Sequence, residues 1–211
     1  MQIETLASIL TIIDGEFKIL LMRKKTEPYK GYWVLPSEIV EKDSTLEETI
    51  NYCVSSKLKL DNIEFEQSLA FSTLDRNPAK RVVGISFVSI VDSRTVETLE
   101  TNDSLDWFEI DRLPKLGYDH SEIIMESVEM IKHKLRESTT LKKLFPSDFT
   151  LPEIQRMYEQ VLDHDLDRRN FRKKFLKADL IEETGDKSIG NNGRPAKLYR
   201  FKEDIESKLL F

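Results

Sequence analysis

LPSEIVEKDSTLEETINYCVSSKLKL (Leu35–Leu60) reads as a loop, a helix and a second loop. Pro36 marks a turn, an acidic loop follows, and a helix starts near Thr45 and runs over Leu46–Leu58. Positions 53, 56 and 57 on that helix are spaced i, i+3, i+4 and share one face. Carboxylates at those positions would converge on Mg²⁺, which takes hard oxygen ligands in near-octahedral array. The chain places Cys53, Ser56 and Lys57 there. A neutral thiol, a hydroxyl and an ammonium do not hold Mg²⁺, so the layout is that of a metal-binding helix without its ligands.

Outward from this helix, the sequence alternates strand and helix signals. Ile3–Ile13 and Phe17–Arg23 are apolar runs joined at Asp14-Gly15, a hairpin signal. Val82–Val91 is rich in β-branched residues and predicts a buried strand. Asp106–Ile110 predicts a short strand, and Asp119–Lys134 a long helix with Ile123, Ile124, Val128 and Ile131 on its inner stripe. Residues 1–137 are expected to form a mixed α/β domain, and 138–148 a linker containing Pro146.

Residues 149–211 follow a different pattern. Thr150 with Glu153 is a capping box, and Pro152 suits the first turn. Leu151, Ile154, Tyr158 and Val161 fall on one helical face. A break at Asp163–Leu166 leads to a second cap at Asp167 and the helix RRNFRKKFLKA, with Phe171, Phe175 and Ala178 inward and Arg169, Arg172 and Lys173 together on another side. Leu180–Thr184, a tip over Gly185–Gly193 and a strand over Ala196–Phe201 complete the pattern of a winged helix-turn-helix.

Charge separates the two parts. The whole chain of 211 residues carries a net charge of −6, yet Arg168–Lys202 holds 11 Lys and Arg against 4 Asp and Glu. A basic cluster on a helix-turn-helix points to nucleic acid. Arg168, Arg169, Asn170, Arg172, Lys173 and Lys174 supply groups for phosphates and base edges, and Lys187, Arg194 and Lys197 supply the wing. With 39% hydrophobic and 33% charged residues, the chain reads as a folded domain protein. Its sequence has no apolar run near the roughly 20 residues of a membrane span, and the N-terminus lacks the pattern of a secretory leader. One cysteine leaves no intramolecular disulfide, which agrees with a cytoplasmic location.

The Leu35–Leu60 segment resembles the Nudix box, G-x5-E-x7-R-E-U-x-E-E-x-G-U with U aliphatic. Laid on without a gap, the first Gly of the pattern falls on Glu38, its first Glu on Ser44, its Arg on Tyr52 and its late Gly on Lys59; its three helix Glu fall on Cys53, Ser56 and Lys57. Val54 and Leu60 keep the aliphatic positions. Together with DRNPAKRVVGISF (Asp75–Phe87), GYDH (Gly117–His120) and FTLPEIQRMYE…LDRRNFRKKF (Phe149–Phe175), the chain resembles the Nudix-related transcriptional regulators over nearly its whole length. The resemblance implies an α/β/α sandwich with a mixed sheet, followed by the winged helix. It also implies a homodimer on a palindromic duplex operator, no catalytic residues, no bound metal or cofactor, and a small-molecule effector. One branch of that family responds to ADP-ribose and governs NAD biosynthesis; another responds to L-arabinose and governs pentose use.

Candidate effector contacts flank the helix. Tyr29 and Trp33 are candidates to stack on a sugar or base, Arg76 and Arg81 to meet phosphate or hydroxyls, and Glu38, Asp119 and His120 to accept from hydroxyls. Each has a structural alternative: Trp33 in the core, Arg76 capping a turn beside Asn77-Pro78, His120 at a helix start. Glu38 in place of a glycine would crowd and charge the pyrophosphate position, which tips the expectation from ADP-ribose to a neutral sugar. Two rival readings stay open: a Nudix hydrolase using Glu41, Glu47 or Glu48, and a protein–protein adaptor.

Overall fold

The computed structural model describes residues 1–137, 142, 144–145, 147–189 and 195–202. The chain divides into two compact units, Met1–Thr11 with Phe17–Met130 and Ile12–Glu16 with Ile131–Phe211. Among the described residues no helix is long and apolar enough to cross a membrane.

The first unit is organised by β1 (Gln2–Ile13), the central strand. β2 (Glu16–Arg23) follows through Asp14 at φ 55 and Gly15 at φ 82. A two-residue hairpin turn whose twist matches the strands requires both central residues at positive φ. β6 (Val82–Ile90) runs parallel to β1 on its other side, from Gln2↔Val82 to Leu10↔Ile90. Around this centre lie β3 (Trp33–Val34), β4 (Ser37–Ile39), β5 (Glu66–Phe71) and β7 (Leu105–Glu109); β4 pairs with β1 and β7 with β2.

Two helices cover the sheet. α1 (Leu46–Leu58) starts at a capping box in which Thr45 accepts from the Glu48 amide and Glu48 accepts from the Thr45 amide. Its Ile50, Val54 and Leu58 pack with Ala7, Ile9, Leu20 and Phe87. α3 (His120–Glu137) covers the opposite face, where the Ser127 hydroxyl reaches the Ser8 hydroxyl at 2.9 Å. Strand alternation explains the division: odd residues of β1 face α1 and even ones face α3. Ile123, Ile124, Val128 and Ile131 are buried, as the helical stripe predicts. A short helix, α2 (Ser93–Thr98), was not foreseen; Asp92 caps it by accepting from Thr95.

The second unit is a winged helix-turn-helix. α4 (Leu151–Leu162) begins at the Thr150–Glu153 capping box, and Leu151, Ile154, Tyr158 and Val161 are all buried. α5 (Arg168–Lys177) begins at Asp167, which accepts from the Asn170 amide. An aromatic cluster joins them: Tyr158 lies 5.6 Å from Phe171 and 5.4 Å from Phe175, ring centre to ring centre. Burying each such ring contributes roughly 1.5–3 kcal/mol. Phe145 stacks on Tyr158 at 5.1 Å, and Leu144 is buried beside it in sequence. Both fall in the expected linker, so the apolar interior of this unit starts before residue 149.

The wing is β8 (Ile181–Ile189) against β9 (Pro195–Phe201), and Phe149 bridges to Tyr199. The expected tip at Gly185 is corrected. β8 continues past it, and Gly185 at φ 88 sits where the register shifts between Glu183 and Lys187. Glycine takes that left-handed conformation without a Cβ penalty, so it marks a bulge inside the strand and not its end. Residues 190–194 of the expected tip lie outside the described residues, Arg194 among them.

Candidate functional site

On the α1 face, Lys57 fills the place that the motif gives to a carboxylate. Its ammonium stands 3.1 Å from Glu38 Oε2 and donates a short hydrogen bond to the Ser37 carbonyl, so it ties α1 to β4. Glu38 also accepts from the Ile39 amide at 3.1 Å. Cys53 is fully buried, and burial pushes its thiol up to about 11, with Lys57 pulling the other way. It is therefore a neutral packing residue at any ordinary pH. Ser56 donates to the Cys53 carbonyl one turn back. This donor set does not suit Mg²⁺. Among the described residues no group of three His, Cys, Asp or Glu side chains is placed to hold a metal ion. The late glycine position of the motif is explained too: Lys59 caps α1 at φ 59, in the left-handed region.

The Lys57–Glu38 pair corrects the charge argument made from sequence. Glu38 does not present a bare negative charge to a ligand, because a cation from α1 lies against it. The electrostatic objection to a pyrophosphate at this place falls away.

On the α3 face, Arg76, Asp119 and Glu4 form a buried ionic cluster. Arg76 is 5% exposed and donates to both oxygens of Asp119, at 2.8 and 3.1 Å, with Glu4 at 3.7 Å. Burial holds the Glu4 carboxyl above its ordinary range, with Arg76 pulling the other way. Gly84 makes room for the guanidinium, since a Cβ there would stand 2.7 Å from Arg76 Nη2. His120 is buried beside this cluster and accepts from the Leu35 amide on Nδ1 at 2.9 Å. That bond fixes the neutral tautomer with hydrogen on Nε2. Burial first, then Arg76, push the imidazole down to about 3.

These contacts bring three of the candidates together. Arg76 and Asp119 bind each other, His120 spends Nδ1 on the Leu35 amide while its Nε2 is buried without a partner among the described residues, and strand alternation sets all three on the sheet face opposite Glu38. Sequence reasoning missed Glu4 as a partner of Arg76 and Lys57 as the partner of Glu38. Gly84 was the available signal, since a glycine inside a β-branched run marks a close approach.

The remaining candidates scatter. Tyr29, at φ 68, packs against Tyr118 at 4.7 Å and Tyr32 at 5.5 Å, and Tyr118 lies 5.3 Å from the His120 ring. Trp33 packs edge-on to Phe108 at 4.5 Å, and the Arg23 guanidinium lies 5.6 Å from its ring. Arg81 donates to the Thr73 carbonyl at 2.9 Å. A surface cavity of about 560 Å³ lies along the outer side of α1, lined by Asn51, Tyr52, Ser55 and Asn62 among others, and no expected contact lines it.

His120 makes acid stability testable. Its folded value lies below the ordinary 6.5, so between about 3 and 6.5 the unfolded chain binds more protons. Stability from His120 is complete above pH 6.5 and is lost as pH falls, at up to about 1.4 kcal/mol per pH unit. Glu4, shifted upward, works in the opposite sense. His120→Asn keeps an acceptor for Leu35 and is expected to flatten the decline of Tm between pH 6.5 and 4.5. An unchanged slope would reject His120 as its source.

In the second unit the turn between α4 and α5 is clamped from α4. Glu159 Oε1 accepts from the Leu166 amide at 2.9 Å and from Gln155 at 2.8 Å, while Gln155 donates to the Leu166 carbonyl at 2.8 Å. Glu159→Ala strands the Leu166 amide and is expected to cost on the order of 1–3 kcal/mol in urea unfolding. Glu159→Gln, which keeps an acceptor, is expected to cost less; equal losses would refute the clamp.

All six polar candidates on α5, Arg168, Arg169, Asn170, Arg172, Lys173 and Lys174, are exposed. Arg168, Arg169, Arg172 and Lys173 make no ion pair among the described residues. The wing differs. Lys197 lies 2.7 Å from Glu183, Arg200 2.9 Å from Glu182, and Lys202 2.6 Å from Asp179. Lys187, exposed, sits opposite Lys197 across the hairpin. Three of the four acids of the basic stretch are therefore engaged by cations on β9 or just after it, and the α5 face keeps its positive charge.

Residues 142–201 match the NrtR DNA-binding winged helix domain. Over 92% of its length the chain is 27% identical to the ADPR responsive transcriptional repressor NtrR of Acinetobacter baylyi, covering 79% of that protein. Over 54% of its length it is 32% identical to an ADP-ribose pyrophosphatase of Methanocaldococcus jannaschii, covering 68% of it. The crystal structure of Shewanella oneidensis NrtR superimposes with a TM-score of 0.79 at 25% identity, covering 96% of this chain and 94% of that one. The same protein bound to a 27mer DNA gives 0.78 at 24% identity, covering 95% and 93%. With a Nudix-like sheet, an α1 face carrying Cys53, Ser56 and Lys57, and a winged helix whose second helix is exposed and basic, the chain shares the two-domain architecture of NrtR, and residues 142–201 form an NrtR-type DNA-binding winged helix domain.

Proposed function

We propose that the chain is an effector-responsive repressor that binds a duplex operator through α5 and is tuned by ADP-ribose or a close relative of it. The observation that carries the DNA half is the exposed cationic face of α5 on a helix-turn-helix fixed by the Tyr158–Phe171–Phe175 cluster. ADP-ribose is favoured over a neutral sugar for two reasons. The Acinetobacter relative is named for its response to ADPR, and Lys57 offsets the Glu38 charge. Residues 1–137 carry the sensing role and 149–211 the DNA role, and two copies on a palindromic site are the arrangement that suits a helix-turn-helix. Glu38 flanks the effector; Tyr29, Trp33 and Arg81, none fully buried, supply stacking and hydroxyl contacts. The vacated carboxylate positions on α1 argue against hydrolysis as the main activity.

The deciding experiment is fluorescence anisotropy of the full chain on duplex from its own upstream region, repeated with ADP-ribose and with L-arabinose. Saturable binding that weakens steeply with salt, and that shifts with ADP-ribose and not the pentose, is expected. A response to the pentose alone would reverse the effector assignment. Absence of duplex binding at any salt would favour an adaptor. Mg²⁺-dependent turnover of ADP-ribose, lost on changing Glu41, Glu47 or Glu48, would reinstate the hydrolase.

A further inference from the structure

The disagreement between the metal-site layout and its residues has content of its own. Three carboxylates on the inner face of a helix would give a site that needs a divalent cation before it tolerates a phosphate. Cys53, Ser56 and Lys57 leave no negative charge there and add one positive charge. That charge is placed. Lys57 is about one-third exposed, and its ammonium is held over β4 by two acceptors, the Ser37 carbonyl and the Glu38 carboxylate. An ammonium carries three donors. One goes to the Ser37 carbonyl, Glu38 stands within ion-pair distance, and the side chain stays about one-third exposed, so donor capacity remains for a ligand.

Glu38 is held in turn: the Ile39 amide binds its carboxylate, and its residue pairs with Thr5 in the β1–β4 register. The cation is therefore positioned from both sides of the site, from α1 and from β4. A lysine serving only solubility would not be anchored twice.

We propose that Lys57 is a tethered cation that replaces the divalent ion of the ancestral site, so that a diphosphate-bearing effector binds here without any metal. The inference rests on the ADP-ribose reading above. A remaining donor of Lys57 meets a non-bridging phosphate oxygen, and Glu38 serves to aim the ammonium. Specificity follows from this arrangement. An uncharged pentose has no use for Lys57, whereas a diphosphate gains a charge-assisted hydrogen bond.

The test is calorimetric titration of ADP-ribose into the full chain, in EDTA and again in millimolar Mg²⁺, with adenosine as the uncharged probe. Wild type is expected to bind ADP-ribose with the same affinity in both buffers, within about twofold. Lys57→Met is expected to weaken it by roughly tenfold or more in both, leave adenosine within about twofold, and keep its fold by circular dichroism. Lys57→Arg retains the charge and is expected to recover most of the loss. A requirement for Mg²⁺ in wild type overturns the tethered cation, and needs no variant. Unchanged affinity in Lys57→Met, or equal losses for adenosine and ADP-ribose, also overturns it. If wild type binds adenosine or a pentose but not ADP-ribose, the effector reading fails and takes this proposal with it.

Discussion

Arg172→Ala combined with Lys173→Ala is expected to lower affinity for the upstream duplex by roughly 100-fold at moderate salt. The two side chains are consecutive on α5, each about one turn on from Arg169, are exposed, and have no ion-pair partner among the described residues. Their loss removes phosphate or base contacts without touching the Phe171–Phe175 interior. An arginine on a base edge contributes about 1–3 kcal/mol, and each lost phosphate contact lowers the slope of log K against log salt by about one. The salt slope should therefore fall by about one to two together with the affinity. Thermal stability should stay within about 0.5 kcal/mol of wild type, as is usual for exposed substitutions. Lys197→Ala is the contrasting control. Glu183 already engages that lysine, which predicts a smaller loss. Wild-type affinity in the α5 double variant at moderate salt would mean that another surface meets the duplex.

That prediction was within reach of the sequence because every step is local. Thr45, Thr150 and Asp167 announce their helices through caps that span three residues, and the structure forms all three. Asp14-Gly15 announces its hairpin for the same reason, and the helical stripes of α3 and α4 follow from period alone. What stayed hidden depends on chain segments far apart. Arg76 and Asp119 are 43 positions apart, and nothing near either names the other. β5 escaped because, as an edge strand with mostly exposed residues, it shows no apolar alternation. Lys57 was visible as a missing glutamate, but its reach to Ser37 and Glu38 depends on how β4 lies against α1. Glu38 was accordingly read as a free charge when it is half of a pair.

The candidate contacts were therefore legible as residue types and less so as an arrangement. Sequence put seven effector candidates in one pool, and the fold sorts four of them by sheet face. Glu38 belongs with α1. Arg76, Asp119 and His120 belong with α3, where they hold the N-terminus of that helix, the start of β1 and the Leu35 amide together. The segments DRNPAKRVVGISF and GYDH thus read as two halves of one internal brace. Arg76 and Gly84 come from the first, Asp119 and His120 from the second.

Cutting that brace at Arg76 is expected to be the most destabilising single change in the first unit. Arg76 is 2% exposed in its side chain, Asp119 11% and Glu4 14%. Arg76→Met retains the apolar stem, but it leaves two carboxylates buried near each other without a cation. Breaking a buried pair from one side typically costs about 3–5 kcal/mol, because the surviving charge is neither solvated nor paired. The pH dependence gives the cause a signature. Without Arg76 the Glu4 carboxyl, already raised by burial and by Asp119, loses the cation that pulls it down and is pushed further up. A carboxyl whose folded value exceeds its unfolded one stabilises the fold below the unfolded value and loses that contribution as pH rises. The variant should therefore recover part of its deficit between pH 7 and pH 5, while wild type loses stability over the same range through His120. Adding Asp119→Asn to Arg76→Met removes one stranded charge and should restore part of the loss at pH 7. Denaturant unfolding of the full chain at both pH values reads all three effects. A deficit under about 1 kcal/mol in Arg76→Met, or one that deepens on acidification, would show that the arginine is not what holds β1 to the start of α3.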